Sequence, residues 1–415
     1  MYWSRPADRF AIAGVGSAWS LVTRGSQRFV QSAAAWRDLC AGALIEAQSD
    51  TIGAGLIAMG GFSFDPLRPA SNQWDGFPDG LLIVPSLLFT SSDGQSRLTL
   101  NVLVDPGTDI EAEATSLVDS ASFLLDPNES LPSLGDADIL SFKDLPAPSD
   151  WQEAVETVER MVRSDDGLSK VVLARQTLIR GGRPFNQVNL LRRLNADYPD
   201  CFVFAVARGR KCLLGASPER LVRLRDRQFS TTSLAGSIAR GATPSEDQTL
   251  GRALLASDKD LAEYDVVVRA IREGLAQLSV EMPQIGRPSL MKLPNVYHLE
   301  TPIISQVTDR LTIFDLLDCL HPTPAVSGYP NDAALRLIRD FEAFDRGWYG
   351  GPVGWIDSHS EGEFAVAIRS AILNGREASA FAGCGIVAGS DPADEYAESL
   401  LKLRPILSAL DGAVG

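Results

Sequence analysis

The stretch FAGCGIVAGSDPADEYAESLLKL, residues 381–403, changes character in the middle. Small and apolar residues up to Gly389 read as a buried strand, and a charged segment follows from Asp391. That segment starts as helices do. Asp391 can accept from the free N–H groups of a first turn, and Pro392 fits the first helical position. Residues three, four and seven apart share a helix face, so Glu395, Glu398 and Lys402 form one stripe. Such strand-like runs alternate with helical stretches throughout the chain, which indicates an α+β or α/β architecture.

Two readings of the stripe stand side by side. In one it is a solvated face, where Glu398 and Lys402 form an i,i+4 pair worth about 0.2–0.5 kcal/mol. In the other the two carboxylates await a hard cation, which requires a second acidic pair elsewhere.

At 415 residues, with 45% hydrophobic residues, the chain can bury a large core. A net charge of −15 argues against nucleic acid or an anionic membrane as main partner, but not against a small anion that meets only its local site. There is no 18-residue apolar run, and MYWSRPADRFAIAG places charges where a signal peptide needs an apolar core, so a cytoplasmic protein is expected. The five cysteines, Cys40, Cys201, Cys212, Cys319 and Cys384, show no CxxC spacing and read as buried free thiols.

GLLIVPSLLFT (80–90) and RLTLNVLVD (97–105) read as strands of an N-terminal sheet, and GGFSFDP (60–66) as a strand ended by a turn. Residues 125–150 are rich in Pro, Asp and Ser and read as a connection. The expected division is a β-rich subdomain over 1–145 and a catalytic region over 146–415, packed as one integrated domain. Ser149 begins an S-x-x-Q capping pattern before the amphipathic DWQEAVETVERMV. KVVLARQTLI (170–179) has the β-branched content of a strand, opened by a lysine that would ordinarily snorkel to solvent. In KCLLGASPERLVRL (211–224) Pro218 fixes the backbone before Glu219, which on local sequence is an exposed turn residue. The small residues of FSTTSLAGSIARG (229–241) would let a ligand approach the backbone.

The second acidic pair exists. LLASDKDLAEYDVVVRAIREGL (254–275) reads as a helix with Asp260 and Glu263 on one face, although Ser257 as N-cap would explain Asp260 as its N3 residue. If the pairs converge, all-oxygen ligands suit magnesium, and Lys402 could offset the excess negative charge. With three histidines in the chain, zinc has little scope.

KVVLAR, GASPERL, SLAGSIARG, SDKDLAEYD, VYHLETP, HPTPAVSGYP, DRGWYGGPVGW, FAVAIRSA and AGCGIVAGSDPADEYAE stand in the order seen in chorismate-utilising enzymes. Over residues 150–405 the chain resembles isochorismate synthases, relatives of anthranilate, aminodeoxychorismate and salicylate synthases. The resemblance implies two large antiparallel-rich β-sheets packed together with helices outside and a cleft between them. It also implies Mg²⁺-dependent conversion of chorismate to isochorismate, with water adding at C2 and the C4 hydroxyl leaving. On this implication Lys170 is the general base and Glu219 the general acid. Glu263 and Glu398 are direct magnesium ligands, supported by Asp260 and Glu395. Arg369, Tyr349 and the backbone around Gly236, Gly383 and Gly385 grip the substrate carboxylates, while Ser237, His298, Ala325 and Lys402 line the pocket.

Thr323, Pro324 and Ala325 look like the isochorismate synthase version of their motif; amine-adding relatives usually carry threonine or serine in place of Ala325. Salicylate synthase, an amine-adding synthase component and a chorismate-binding regulatory relative are the alternatives. The expected partners are chorismate and a downstream pathway enzyme, with neither nucleic acid nor membrane, and a monomer or weak dimer. Whether the product serves siderophore, menaquinone or salicylate biosynthesis is left open.

Overall fold

A computed structural model describes residues 1–46, 52–126, 135–165, 167–278, 285–308 and 310–411. Their strands form two antiparallel sheets. The first runs, in neighbour order, Gly328–Tyr329, Lys170–Gly181, Glu377–Ile386, Ser370–Asn374, Lys211–Ser217, Phe202–Arg208, Tyr2–Arg5, Phe10–Val15, Leu87–Ser92 and Gln95–Leu100, with Ile139–Leu145 also on Lys170–Gly181. The second runs Ser289–Lys292, Val296–Gln306, Gln228–Ala239, Arg220–Arg225, Gly362–Val366, Pro352–Asp357, Ile57–Phe62, Gly80–Val84 and Trp19–Thr23.

Alternation along each strand decides the layers. Phe202, Phe204 and Val206 face inward and pack with Met59, Leu81 and Val353 of the other sheet, whereas Val203 and Ala205 face outward. The outward set is covered by Leu190 and Leu194 of the helix Gln187–Asp197 and by Leu403 and Ile406 of the helix Pro392–Asp411. On the far side of the second sheet, Val267 and Ile271 of the helix Asp258–Gln277 and Leu317 of Ile313–Leu320 pack with Val222, Leu299 and Phe364. The expected two sheets with helices outside are thus observed. Among the described residues no helix is long and apolar enough to cross a membrane.

Local readings hold where a side chain caps its own backbone. Asp391 accepts from the Ala393 and Asp394 amides, and Ser257 accepts from Asp260, each opening its helix. Four readings change, the first being the strand expected over 97–105, which ends at Leu100. Pro85 splits residues 80–90 into two strands, and these join different sheets. Part of the expected connection, Ile139–Leu145, is a strand paired with Lys170–Gly181; residues 127–134 lie outside the described residues. Ser149 does not cap: the helix starts at Pro148 after Ala147, and the Ser149 hydroxyl turns to Asp150. Strands of the first 145 residues enter both sheets, Tyr2–Arg5 beside Phe202–Arg208 and Ile57–Phe62 beside Pro352–Asp357.

Two passages of the chain from sheet to sheet matter most. After Ser217 it leaves the first sheet and enters the second at Arg220; after Val366 it returns, entering the first at Ser370. The crossovers are tied together, the Val366 amide donating to Glu219 O over 3.1 Å and the Ala216 amide to Arg369 O over 3.1 Å. Arg369 takes a left-handed φ of 51°, a conformation that costs a non-glycine residue energy and so reports a constraint.

Candidate active site

Because Glu219 and Arg369 sit on these crossovers, their side chains enter the space where the sheets part. Both line a cavity walled also by Gly236, Ser237, Glu263, His298, Ala325, Tyr349, Gly383, Gly385, Glu398 and Lys402. Sequence reasoning named all twelve of these. Lys170, Asp260 and Glu395 do not reach the wall.

Lys170 opens its strand but is 1% exposed, so it does not snorkel. Its amine meets Glu263 Oε1 at 2.7 Å. A Cβ on Gly385 would lie 2.5 Å from Lys170 Cε and 2.6 Å from Glu263 Oε1, so only glycine leaves room for this pair. Lys170 therefore stands one layer behind the wall formed by Gly385 and Glu263.

Glu219 is 3% exposed, and Thr323 Oγ1 donates to its Oε1 over 3.3 Å. Burial pushes its carboxyl up to about 7, against the pull of the Thr323 hydroxyl and of Lys170, Lys402 and Arg369. It therefore holds a proton near neutral pH, as a general acid must.

The register of Gln228–Ala239 against Val296–Gln306 shifts between Ala235 and Ser237, which leaves Gly236 as a bulge with φ 65°. The bulge turns Gly236 O and Ser237 Oγ toward His298 Nδ1, each at 3.0 Å. Burial, with Arg369 beside it, pushes His298 down to about 3, so the ring is neutral. Its Nε2 accepts from Arg369 Nη2 at 3.0 Å, which leaves Nδ1 as the protonated nitrogen, donating to Gly236 O. Behind Gly236 stands Asp260, whose Oδ1 would be 2.9 Å from a Cβ there. Tyr349 stacks on Phe381 at 5.0 Å between centroids, and burial pushes its hydroxyl up to about 12.

The helix Pro392–Asp411 delivers the other charges. Lys402 reaches Glu398 Oε1 at 2.6 Å and donates to Gly383 O at 3.0 Å. Burial opposes the charge of Glu398, but Lys402 and then Ser237 outweigh it and hold the carboxyl below its ordinary value. Glu395 pairs with Lys259 at 2.8 Å. A neighbouring face of this helix grips the strand Lys170–Gly181: Arg175, fully buried, donates through Nε to Ser399 Oγ at 2.7 Å, pairs with Asp144 at 2.9 Å and lies 4.6 Å over the Tyr396 ring.

Three lysines thus each hold one carboxylate: Lys170 with Glu263, Lys402 with Glu398, Lys259 with Glu395. Burial pushes Asp260 and Glu395 up, and the charge of Glu398 adds to both shifts. A divalent cation would relieve this crowding. The thiol of Cys384 lies with Glu395 and Glu398, but burial raises it well above its ordinary value and Sγ is committed to Glu395 O at 3.1 Å. The available donors are then all oxygens, which fits magnesium and not a thiophilic metal. Glu263 and Glu398 would hold it from the cavity wall, with Asp260 and Glu395 behind them.

Sequence reasoning missed three contributors. Arg346 lines the cavity, donates to Val326 O at 2.7 Å and Val172 O at 2.9 Å, and pairs with Glu342, whose Oε1 accepts from the Ala174 amide. Lys259 stood inside a quoted motif with no role, and Thr323 only as a marker of the isochorismate synthase version of its motif. Arg346 likewise stands in DRGWYGGPVGW, and membership of an ordered motif is the signal that could have flagged all three.

Against known proteins, residues 1–411 match the family model described as chorismate binding enzyme. Isochorismate synthase MenF of Bacillus subtilis is 36% identical over 416 residues, 99% of this chain and 88% of that protein. The salicylate biosynthesis isochorismate synthase of Pseudomonas aeruginosa is 39% identical over 421 residues, 99% of this chain and 85% of that protein. Among solved structures, the menaquinone-specific isochorismate synthase MenF from Escherichia coli matches with a TM-score of 0.80 at 27% identity, over 99% of this chain and 88% of that one. Anthranilate synthase component I from Streptococcus pneumoniae shares the fold, with a TM-score of 0.78 at 22% identity over 95% of this chain and 91% of that one. With a family model matching residues 1–411 and relatives of 36–39% identity aligned over 99% of it, the chain belongs to the chorismate binding enzymes.

Proposed function

We propose that the chain isomerises chorismate to isochorismate with magnesium, as the names of its relatives at 36–39% identity suggest. Water adds at C2 of the ring, the double bond shifts, and the C4–O bond breaks with loss of hydroxide. Lys170 takes a proton from the incoming water and Glu219 gives one to the leaving hydroxide. One water enters and one departs, so the reaction is redox-neutral. The observation that carries this reading is the buried carboxyl of Glu219, which burial pushes up to about 7, in the same cavity as Glu398, which Lys402 holds below its ordinary value.

Arg369 presents its planar fork to a substrate carboxylate, steadied from behind by neutral His298. Gly383 and Gly385 let the ring lie against the backbone. As the base, Lys170 would have to give up Glu263, which it meets at 2.7 Å in the resting structure, and reach the water past Gly385, where no side chain stands in the way. When bound, magnesium would fix a substrate carboxylate and draw electron density from the ring. The reading places the enzyme in the cytoplasm as a monomer or weak dimer, with strands 1–145 as scaffold to the catalytic region and a downstream enzyme consuming the product.

The test is incubation of the purified protein with chorismate and Mg²⁺, resolving isochorismate, salicylate and pyruvate by chromatography, with and without ammonia. Isochorismate as the product supports the reading. Salicylate with pyruvate, an aminated product or no conversion overturns it.

A further inference from the structure

Glu219 has one side-chain hydrogen-bond partner among the described residues, Thr323, which is 5% exposed. The threonine belongs to a rigid turn. Its own carbonyl accepts from the Val326 amide at 3.0 Å, the Ser327 amide at 2.9 Å and Ser327 Oγ at 2.9 Å. Upstream, His321 Nε2 donates to Ser63 O and Phe64 O at 3.2 and 3.1 Å. Downstream, Gly328 and Tyr329 pair with Val171 and Lys170. Anchored at both ends and the middle, the turn cannot follow the glutamate, so the hydroxyl sets where the carboxyl points.

A protonated carboxyl has one O–H donor and keeps acceptor capacity on its other oxygen. Because the Thr323 hydroxyl donates to Oε1, that oxygen is occupied as the acceptor. We infer that Thr323 is the positioning residue of the acid: it reserves Glu219 Oε1 as the carbonyl oxygen and leaves Oε2 to carry the proton delivered to the departing C4 hydroxide. The same turn pairs with the start of the base strand, so one segment registers acid against base. This rests on the isomerase reading for its kinetic consequence, but the contact itself does not.

The experiment compares Thr323→Val and Thr323→Ser with wild type. Loss of one buried hydrogen bond lowers kcat about tenfold in the valine variant, with KM for chorismate within about twofold; serine, which keeps the hydroxyl, stays within about twofold of wild type in both. Infrared difference spectra against Glu219→Gln supply a second readout. The protonated-carboxyl C=O stretch of Glu219 moves to higher frequency in the valine variant, which has lost the donor, and stays in place in the serine variant. An unchanged kcat and band in Thr323→Val, or a serine variant as impaired as the valine one, overturns the inference. If the valine protein does not fold, Thr323→Ala against Thr323→Ser gives the same contrast. If wild type makes no isochorismate, the isomerase reading falls, and the infrared contrast still decides the Thr323 contact.

Discussion

The cavity has two carboxylate environments only a few side chains apart. On the crossover side, Glu219 is buried with a single hydroxyl against it and its carboxyl rises to about 7. On the helix side, Glu398 is also buried, yet Lys402 at 2.6 Å holds it below its ordinary value. The difference teaches that burial alone does not assign a role. Burial raises Glu219, which forms no ion pair among the described residues, whereas Lys402 against Glu398 reverses the direction. One fold presents both because Glu219 comes from a sheet-to-sheet passage, while Glu263 and Glu398 come from the N-terminal halves of two helices.

Breaking the acid side should do most. Glu219→Gln keeps the shape and the Thr323 contact but cannot donate a proton, and kcat should fall about 10²–10⁴-fold while chorismate still binds, as equilibrium titration would measure. The same variant should be more stable than wild type at alkaline pH. A carboxyl raised in the folded state keeps its contribution below its unfolded value and loses stability as pH rises through about 7. Thermal or denaturant melts should agree below about pH 4 and diverge by roughly 3 kcal/mol in favour of glutamine above about pH 8.

The helix side can be graded. Glu398→Gln removes a wall carboxylate and should weaken Mg²⁺ affinity, measured by calorimetry, more than about 100-fold. Glu395→Gln, one layer back, should cost about 10–100-fold, as outer-shell groups do. Lys259→Ala should matter least, about fivefold or less, since Lys259 is two-fifths exposed and such pairs are worth under about 1 kcal/mol. Equal effects for Glu395 and Glu398 would erase the layering described above.

What was legible in the sequence was what local chemistry enforces. Ser257 and Asp391 cap their helices because their oxygens reach their own first turns, and 170–181 is a strand because of its β-branched run. The i,i+3 and i,i+4 spacings placed Asp260 with Glu263 and Glu395 with Glu398 and Lys402 before any tertiary contact was known. Burial was not legible. Lys170 and Glu219 look like surface residues in their own segments, and only the resemblance to chorismate-utilising enzymes singled them out. Nor could spacing show that Pro85 divides two strands between two sheets, that Lys259 would seize Glu395, or that Glu219 and Arg369 sit on linked crossovers. Each depends on partners more than 100 residues away or on which sheet a strand joins, and neither is written in any one window.

Burial favours the neutral carboxyl at Glu219, while Lys402 favours the charged form of Glu398 in the same cavity. Infrared difference titration of wild type against Glu219→Gln tests it most directly. The account predicts a protonated-carboxyl band, absent from the variant, that persists at mildly acidic pH and disappears with a midpoint near 7. A band lost in the ordinary carboxylate range, with Glu219 already ionised at neutral pH, would contradict it.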